Sequence, residues 1–456
     1  MLRIVVNGNI AKIHGNISDD TLNSIDSMTK FRRDGYQFTN RYRSGDWDGW
    51  THLYKSYSRS FPIGFLERVE MLLLLEKIEY AIEDKRTIHQ SKSLSSNIEL
   101  RDYQKAIVED AIQKKNCLIP ACVGSGKTEM AIVITTKLGL STLFVTPTKD
   151  ILYQTQERFR DALGIDIGII GEGKFEPNLI TIATWQSISS GIKKKNHKIF
   201  KYLSEINVII WDEVHHLSAD KLFDVAMHCP AKYRYGLSGT MFRTDNSELK
   251  FFGAIGELGS GITASELIDM NYLVHPIIKF IRTIPITFRR RDGWKTVYKV
   301  GVVDNEERNQ MLADETKKLM DEGRITLVLV SEIRHGQRLQ SMIPNSIFIC
   351  SNAKDRPEII EQFRKGEIPC IVSTPIWDEG VDIPIVRGIV LAGAGKSQIK
   401  AVQRVGRGLR TYKGKDNVKI IDCNDPMLYL WDHSKERYKM YAQESKFIIE
   451  GDVPSA

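Results

Sequence analysis

Hydrophobic positions change their period along the chain. LRIVVNGNIAKI (2–13) alternates apolar with polar, and Asn7-Gly8 between its two apolar runs is a turn signal, so the segment predicts a β-hairpin. After a stretch that interleaves aromatics with Arg32, Arg33, Arg41 and Arg43, PIGFLERVEMLLLLEKIEYAIED (62–84) carries its apolar residues at helical spacing. The polar run HQSKSLSSN (89–97) reads as a linker. Beyond it, short apolar runs recur with helical or loop patterns between them. CLIPA, TLFVTP, LITIAT, VIIWD and YGLSGT lie before residue 262, and TLVLVS, IFICS, CIVSTP, GIVLAG and KIIDC lie after it. Buried strands alternating with helices predict βαβ units and parallel sheets. The expected class is therefore α/β: a small α+β domain over 1–90, then two related parallel-sheet domains over 91–262 and 263–456.

Composition narrows this only slightly. The 64 basic and 57 acidic residues leave a formal charge of +7, a mild excess compatible with nucleic acid. Six widely spaced cysteines without a CxxC pair predict reduced thiols rather than a zinc or disulfide framework. The first residues, MLRIVVNGNIAKIHG, show no apolar leader, and MLLLLE (71–76) is too short to span a bilayer. A cytoplasmic protein with no membrane partner is expected.

Chemistry enters at ACVGSGKT, Ala121 to Thr128, which follows a strand pattern and precedes the helical run TEMAIVITTKLG. That context suits a phosphate-binding loop. Backbone N–H groups of Val123, Gly124, Ser125 and Gly126 can turn toward phosphate oxygens, Lys127 adds a point charge, and Thr128 offers a hydroxyl to Mg²⁺. Ala121 stands where the general motif has glycine. VIIWDEVHH ends a buried strand on Asp212 and Glu213, a pair suited to holding Mg²⁺ and orienting an attacking water. Capping of the next helix is the plainer use of such residues. In LRDYQ, Gln104 can read adenine with its two-ended amide, with Arg101 beside it, although an ordinary helix start fits the same residues. In QRVGRGLR (403–410), Arg407 and Arg410 would share one face of a helix, as fingers for a γ-phosphate or as a solvated basic face.

The order LRDYQ, ACVGSGKT, FVTPTKDILYQ, TWQS, DEVH, LSGT, LVLVS, STPIWDEGVDIP, QRVGRGLR resembles the motif series of superfamily 2 helicases and translocases across residues 100–410. The resemblance implies two RecA-like domains in tandem that use ATP and Mg²⁺. It implies catalytic roles for Lys127, Asp212, Glu213, Gln403, Arg407 and Arg410, and a metal site at Thr128 and Asp212. Gly380 and Asp382 would meet the nucleotide sugar, while His215, Ser238 and Thr240 would couple hydrolysis to movement. Thr146, Thr148, Lys149, Thr184, Gln186, Ser331 and Thr374 would contact a nucleic-acid backbone, since such motors follow phosphates rather than bases. DEVH in place of DEAD points toward DNA-directed branches.

DGYQF and GDWDG within 34–49, with PIGFL at 62–66, extend the resemblance to the phage UvsW-type DNA helicases, and to the shorter form encoded by T5-type phages. What this implies is ATP-driven remodelling of branched or forked double-stranded DNA by a monomer: Holliday-junction branch migration, fork regression and unwinding of short duplexes. Single-stranded DNA would be a further ligand, and the host cytoplasm the location. A general single-strand or RNA helicase, or an ATP-switched nucleic-acid-binding remodeller, is the alternative. Two further segments carry expectations. ITFRRRDGWKTVYKVGVV (286–303) reads as a basic hairpin turning at Asp292-Gly293, with Arg290, Arg291 and Trp294 offered to DNA. DHSKERYKMYAQESKFIIE (432–450) reads as a docked amphipathic helix. In the front domain Arg32, Arg33, Arg41, Arg43 and Arg59 are the candidates for phosphate contacts, Arg41 and Arg43 foremost, and most of the surrounding aromatics are assigned to packing.

Overall fold

The computed structural model describes residues 1–33, 35–88, 91–214, 219–239, 248–350, 355–374, 383–395 and 409–454. The chain divides into two units. Met1–Ala121 groups with Gly126–Ile262, and Thr263–Ala456 groups with the short Cys122–Ser125 segment.

In the first unit, Leu2, Ile4 and Val6 alternate inward along Leu2–Asn7, which turns through Gly8 and Asn9 into the antiparallel Ile10–His14. The hairpin joins a four-stranded sheet in the order Ser60–Pro62, Ile10–His14, Leu2–Asn7, Tyr80–Asp84. The 62–84 segment is therefore not one helix. Its helix covers only Leu66–Leu75, Lys77 turns the backbone at φ +56°, and Tyr80–Asp84 pairs in parallel with Leu2–Asn7. The local apolar spacing is helical, but the open edge of the hairpin recruits the last residues as a strand. Ile4, Ile25, Phe61, Phe65, Val69 and Leu73 are fully buried between this sheet and its helices.

The larger sheet runs edge to edge as Lys174–Glu176, Gly168–Gly171, Ile180–Thr184, Thr142–Thr146, Val208–Trp211, Tyr233–Ser238, Asn116–Pro120 and Glu257–Leu258. All neighbours are parallel except the Lys174–Glu176 edge. The five apolar runs read from the sequence are five of these strands.

The small front fold is built into this unit rather than tethered to it. Gly64 lies so close to the Ala254-ending helix that a Cβ would stand 1.9 Å from the Phe252 carbonyl oxygen, which no side chain can do. Arg68 forks onto Glu257 at 2.8 and 2.9 Å. Arg33 and Lys250 both bond Asp220, and although burial pushes the other way, these bonds hold its carboxyl below the ordinary range. Fully buried Arg234 donates to the carbonyls of Ala226, Cys229 and Ala254 and to Asn9 of the hairpin loop. Burial pulls its guanidinium down to about 10. The described part of the linker is pinned too, since Lys92 N–H donates to Gly139 and Asn97 N–H to Ala162.

The second unit carries a seven-stranded parallel sheet in the order Ser346–Ile349, Cys370–Ser373, Thr326–Leu329, Gly388–Leu391, Asn417–Asn424, His275–Arg282, Ile448–Gly451. The tail is half of what its pattern suggests: a helix at Leu430–Ala442, then an edge strand. Arg437 and Tyr441 on that helix both bond Asp422, and Arg308 forks onto Asp425, so two buried ion pairs anchor the sheet's centre.

The basic hairpin at 286–303 is absent. Asp292 accepts the Arg289 N–H at 2.7 Å, Gly293 caps an α-helix at Trp294–Tyr298, and a π-helical turn follows at Lys299–Val303. Val297, Tyr298, Val302 and Val303 are buried together against Met427 and Leu430. Their spacing of one, four and one fits a wide helical turn, which buries all four; a strand would put half of them in water. Trp294 thus opens a helix instead of capping a hairpin.

Candidate active site and nucleic-acid interface

The strand Asn116–Pro120 delivers the phosphate loop, and the helix Lys127–Leu138 leaves it. Gly124 and Gly126 take φ of +86° and +79°, the left-handed turns that let successive N–H groups curl inward. Gly126 is required for a second reason: a Cβ there would lie 2.3 Å from Nε2 of Gln104. The Gln104 amide is pressed against the loop, while its Oε1 accepts the N–H of Arg101 at 2.9 Å and so caps the helix Asp102–Lys114. The helix-start reading of these residues is thus what the structure shows, with the amide beside the loop. Arg101 is exposed.

Lys127 opens its helix. Its Nζ donates to the Ala121 carbonyl at 3.3 Å and pairs with Glu213 Oε1 at 2.9 Å. Val208–Trp211 is fully buried, and Asp212 and Glu213 leave its carboxyl end, with Asp212 N–H donating to Val145. Glu213 is held at φ +47°, a left-handed conformation that costs a non-glycine residue about 1–2 kcal/mol. Strain of this kind collects at functional sites. Ser238 ends the neighbouring strand, fully buried, and its carbonyl accepts the Ala121 N–H at 2.8 Å. Loop lysine, carboxylate pair and Ser238 thus converge at the carboxyl ends of three central parallel strands, where open α/β sheets bind ligands. Thr128 is half-buried in the first turn of the loop's helix.

Phosphates fit this cradle in its left-handed glycines, its helix N-terminus and its one lysine, while the Ser125 N–H is taken by the Cys122 carbonyl at 3.2 Å. Thr128 follows the loop and Asp212 follows the strand Val208–Trp211, and their hydroxyl and carboxylate are hard oxygen donors of the kind Mg²⁺ takes.

A second cluster lies at the same edge of the sheet, after Thr142–Thr146 and Ile180–Thr184. Thr146 is buried and donates to the carbonyls of Ala183 and Thr148. Thr184 caps the helix Trp185–Lys193, and Gln186 Nε2 donates to the Pro147 carbonyl at 2.9 Å. Their polar groups serve the loops first. Thr148 differs, because its buried hydroxyl has no hydrogen-bond partner among the described residues. Lys149 beside it is exposed.

In the second unit, Ser331 and Thr374 follow adjacent parallel strands, and Ser331 Oγ donates to the Gly393 carbonyl at 3.3 Å. Arg410 is exposed and extended, bridging Leu273, where the three-residue spacing suggested a helix. The extended pairing of Leu409 and Arg410 with Leu273 and Val274 wins over local helix propensity. Gln403, Arg407, Gly380, Asp382, His215 and Thr240 lie outside the described residues. Arg290 and Arg291 are exposed ahead of the Trp294 helix, and Arg41 and Arg43 are exposed on the short helix Asn40–Arg43. The aromatics around them divide: Phe31 is core, Trp47 Nε1 ties to the Trp50 carbonyl, Arg32 stacks on Tyr36 and Trp50, and Phe38 is 67% exposed.

A glycine-rich loop whose lysine meets a carboxylate pair at the carboxyl ends of a parallel sheet defines a P-loop nucleotide hydrolase. Residues 97–243 match the family model of the type III restriction enzyme res subunit, and residues 332–412 match that of the helicase conserved C-terminal domain. The chain is 26% identical over 70% of its length to the DNA 3'-5' translocase XPB2 of Sulfurisphaera tokodaii, covering 80% of that protein. It is 22% identical over 93% of its length to the ATP-dependent DNA helicase uvsW of Enterobacteria phage T4, covering 94% of it. Among solved structures, the DUF1998 helicase MrfA bound to DNA shares its fold with a TM-score of 0.56 at 14% identity, over 81% of this chain and 55% of that one. The chain belongs to the superfamily 2 helicases, with tandem RecA-like domains, and is an ATP-hydrolysing enzyme.

Proposed function

We propose that the protein is an ATP-driven translocase that remodels branched or forked double-stranded DNA, by branch migration, fork regression and unwinding of short duplexes, in recombination and replication. The observation that carries the motor reading is the Lys127–Glu213 pair at the loop, 2.9 Å apart, with Glu213 strained beside Asp212. In this reading Lys127 exchanges Glu213 for a phosphate oxygen, and the released Glu213 orients water. Thr128 and Asp212 hold Mg²⁺, Gln104 and Arg101 face the base, and Ser238 with His215 and Thr240 transmits the change. Bound ATP with Mg²⁺ supplies the phosphoanhydride bond that is hydrolysed. Gln403, Arg407 and Arg410 supply donors and positive charge for the phosphates, while Gly380 and Asp382 meet the sugar.

DNA as the track is supported by the two relatives, whose names give DNA as what they act on. Branched DNA in particular follows from the resemblance of the front-domain and motor motifs to the UvsW-type helicases, and the phage T4 relative matches along 93% of the chain. Residues 1–90 then serve as an accessory DNA-binding domain, 91–262 as the loop-bearing motor domain and 263–456 as its second half. The protein works as a monomer in the cytoplasm, that of the host if phage-encoded. Among the described residues no helix is long and apolar enough to cross a membrane.

ATP turnover measured with single-stranded, duplex, Holliday-junction and RNA ligands tests this. Junction DNA is expected to stimulate most, and strongest stimulation by RNA would sink the branched-DNA reading.

A further inference from the structure

The second unit contains an open groove of about 600 Å³ that hydrolysis does not use. Trp294, Tyr298, Tyr429 and His433 form its aromatic wall. The indole of Trp294 lies 4.8 Å from the His433 ring, 5.4 Å from Tyr298 and 6.3 Å from Tyr429, centre to centre. Yet Trp294 remains 38% exposed and Tyr429 37%. Two pairs of rings from distant parts of the chain therefore leave π surface open to solvent, where a packing cluster would have closed it.

The groove's polar side is equally specific. Ser331 and Glu332 follow the strand Thr326–Leu329, and Gly393 follows its parallel neighbour Gly388–Leu391. The groove thus opens at the carboxyl edge of the sheet, the side on which such sheets take ligands. The hydroxyls of Tyr298 and Ser331 both donate to the Gly393 carbonyl, which fixes the wall to the floor. Glu332 brings a carboxylate to a site otherwise walled by rings. Leading into Trp294 and along its helix, Arg289, Arg290, Arg291, Lys295 and Lys299 are exposed. Among the described residues none of the five has an ion-pair partner. Unneutralised cations flanking an open aromatic slot are the combination that binds a single strand: phosphates on the cations, bases on the rings. An apolar protein segment would match neither the carboxylate nor the cations.

We propose that this groove takes one unpaired base of a DNA strand, stacked on Trp294, with an exocyclic amino group donating to Glu332 and the flanking phosphates on Arg289, Arg290, Arg291 and Lys295. The proposal rests on DNA being the track, and adds a contact to a base where the remaining contacts are to the backbone. Such a contact would hold a displaced strand apart from its complement.

The test uses the full chain, a short single-stranded oligonucleotide, and copies carrying one abasic site at successive positions. Binding is read by fluorescence anisotropy and ATP turnover is followed in parallel. Removing a stacked base or its ring weakens binding about 5- to 150-fold. Wild type is expected to show that loss at one abasic position. Trp294→Ala is expected to show a similar loss with the intact strand and no further loss at that position, while Trp294→Phe retains most of the affinity. A flat abasic series on wild type, with turnover still stimulated by DNA, overturns the base site and leaves the translocase reading standing. No binding or stimulation by any DNA overturns both. A Trp294→Ala variant that raises KM for ATP at unchanged DNA affinity makes the groove a nucleotide site and also overturns the proposal. Should Trp294→Ala fail to fold, the abasic series on wild type and the Trp294→Phe variant decide.

Discussion

Lys127 is satisfied by Glu213 and the Ala121 carbonyl, so the loop has a defined conformation before any phosphate arrives. Removing the lysine takes away both the tether and the charge. Lys127→Ala is expected to reduce ATP turnover to background in a phosphate-release assay, and retained turnover would mean that the ATP site is elsewhere. At this scale the chemistry was readable where it is contiguous. ACVGSGKT and WDE each carry their chemical groups within a few residues. Thr146, Thr184 and Gln186 were less readable, because their hydroxyl and amide groups bond backbone that only the fold brings near. Tyr429 went unnoticed, since nothing near it in the chain connects it to Trp294.

At the level of elements, a buried histidine of the second unit sets a pH response. His335, on the helix Ile333–Met342, is fully buried and meets Asn309 Oδ1 at 2.9 Å. Burial, with Arg308 and Arg338 nearby, pulls its imidazole down to about 3, against an opposing effect of Asp425. The native state therefore binds fewer protons than the unfolded chain between about pH 3 and pH 6.5. His335 contributes no penalty above that window and an increasing one as pH falls through it. His335→Gln is expected to show a shallower loss of thermal midpoint than wild type on going from neutral to mildly acidic pH. Equal slopes would place the acid sensitivity in the carboxylates alone. Gly64 tests the seam between the front fold and the larger sheet. Gly64→Ala drives a methyl into backbone and is expected to cost about 2 kcal/mol or more, read by denaturant unfolding. A neutral result would mean that the seam yields. The segments misread from the pattern, 62–84 and 286–303, are those in which a short apolar run fits either period until its neighbours are known.

Across the molecule, the front fold shares one compact unit with the loop-bearing sheet, through Gly64, Arg68, Asp220 and Arg234. Its exposed Arg41 and Arg43 are thereby fixed to that sheet rather than carried on a tether. Reversing both to glutamate is expected to weaken junction binding and flatten its salt dependence, with the unfolding free energy unchanged within about 0.5 kcal/mol. Unaltered affinity would leave them as surface charges. The sequence by itself determined the parallel α/β class, the front hairpin and ten of the parallel strands, the phosphate loop and its carboxylate partners. Burial on both faces writes a strand as an uninterrupted apolar run, and a phosphate cradle needs small residues next to one lysine. Only the tertiary structure decided that Tyr80–Asp84 and Ile448–Gly451 are strands, that Arg410 is extended, and that Trp294 meets Tyr429 and His433 in an open groove. Those outcomes depend on which edge or ring lies opposite, and that information is distributed over the whole chain.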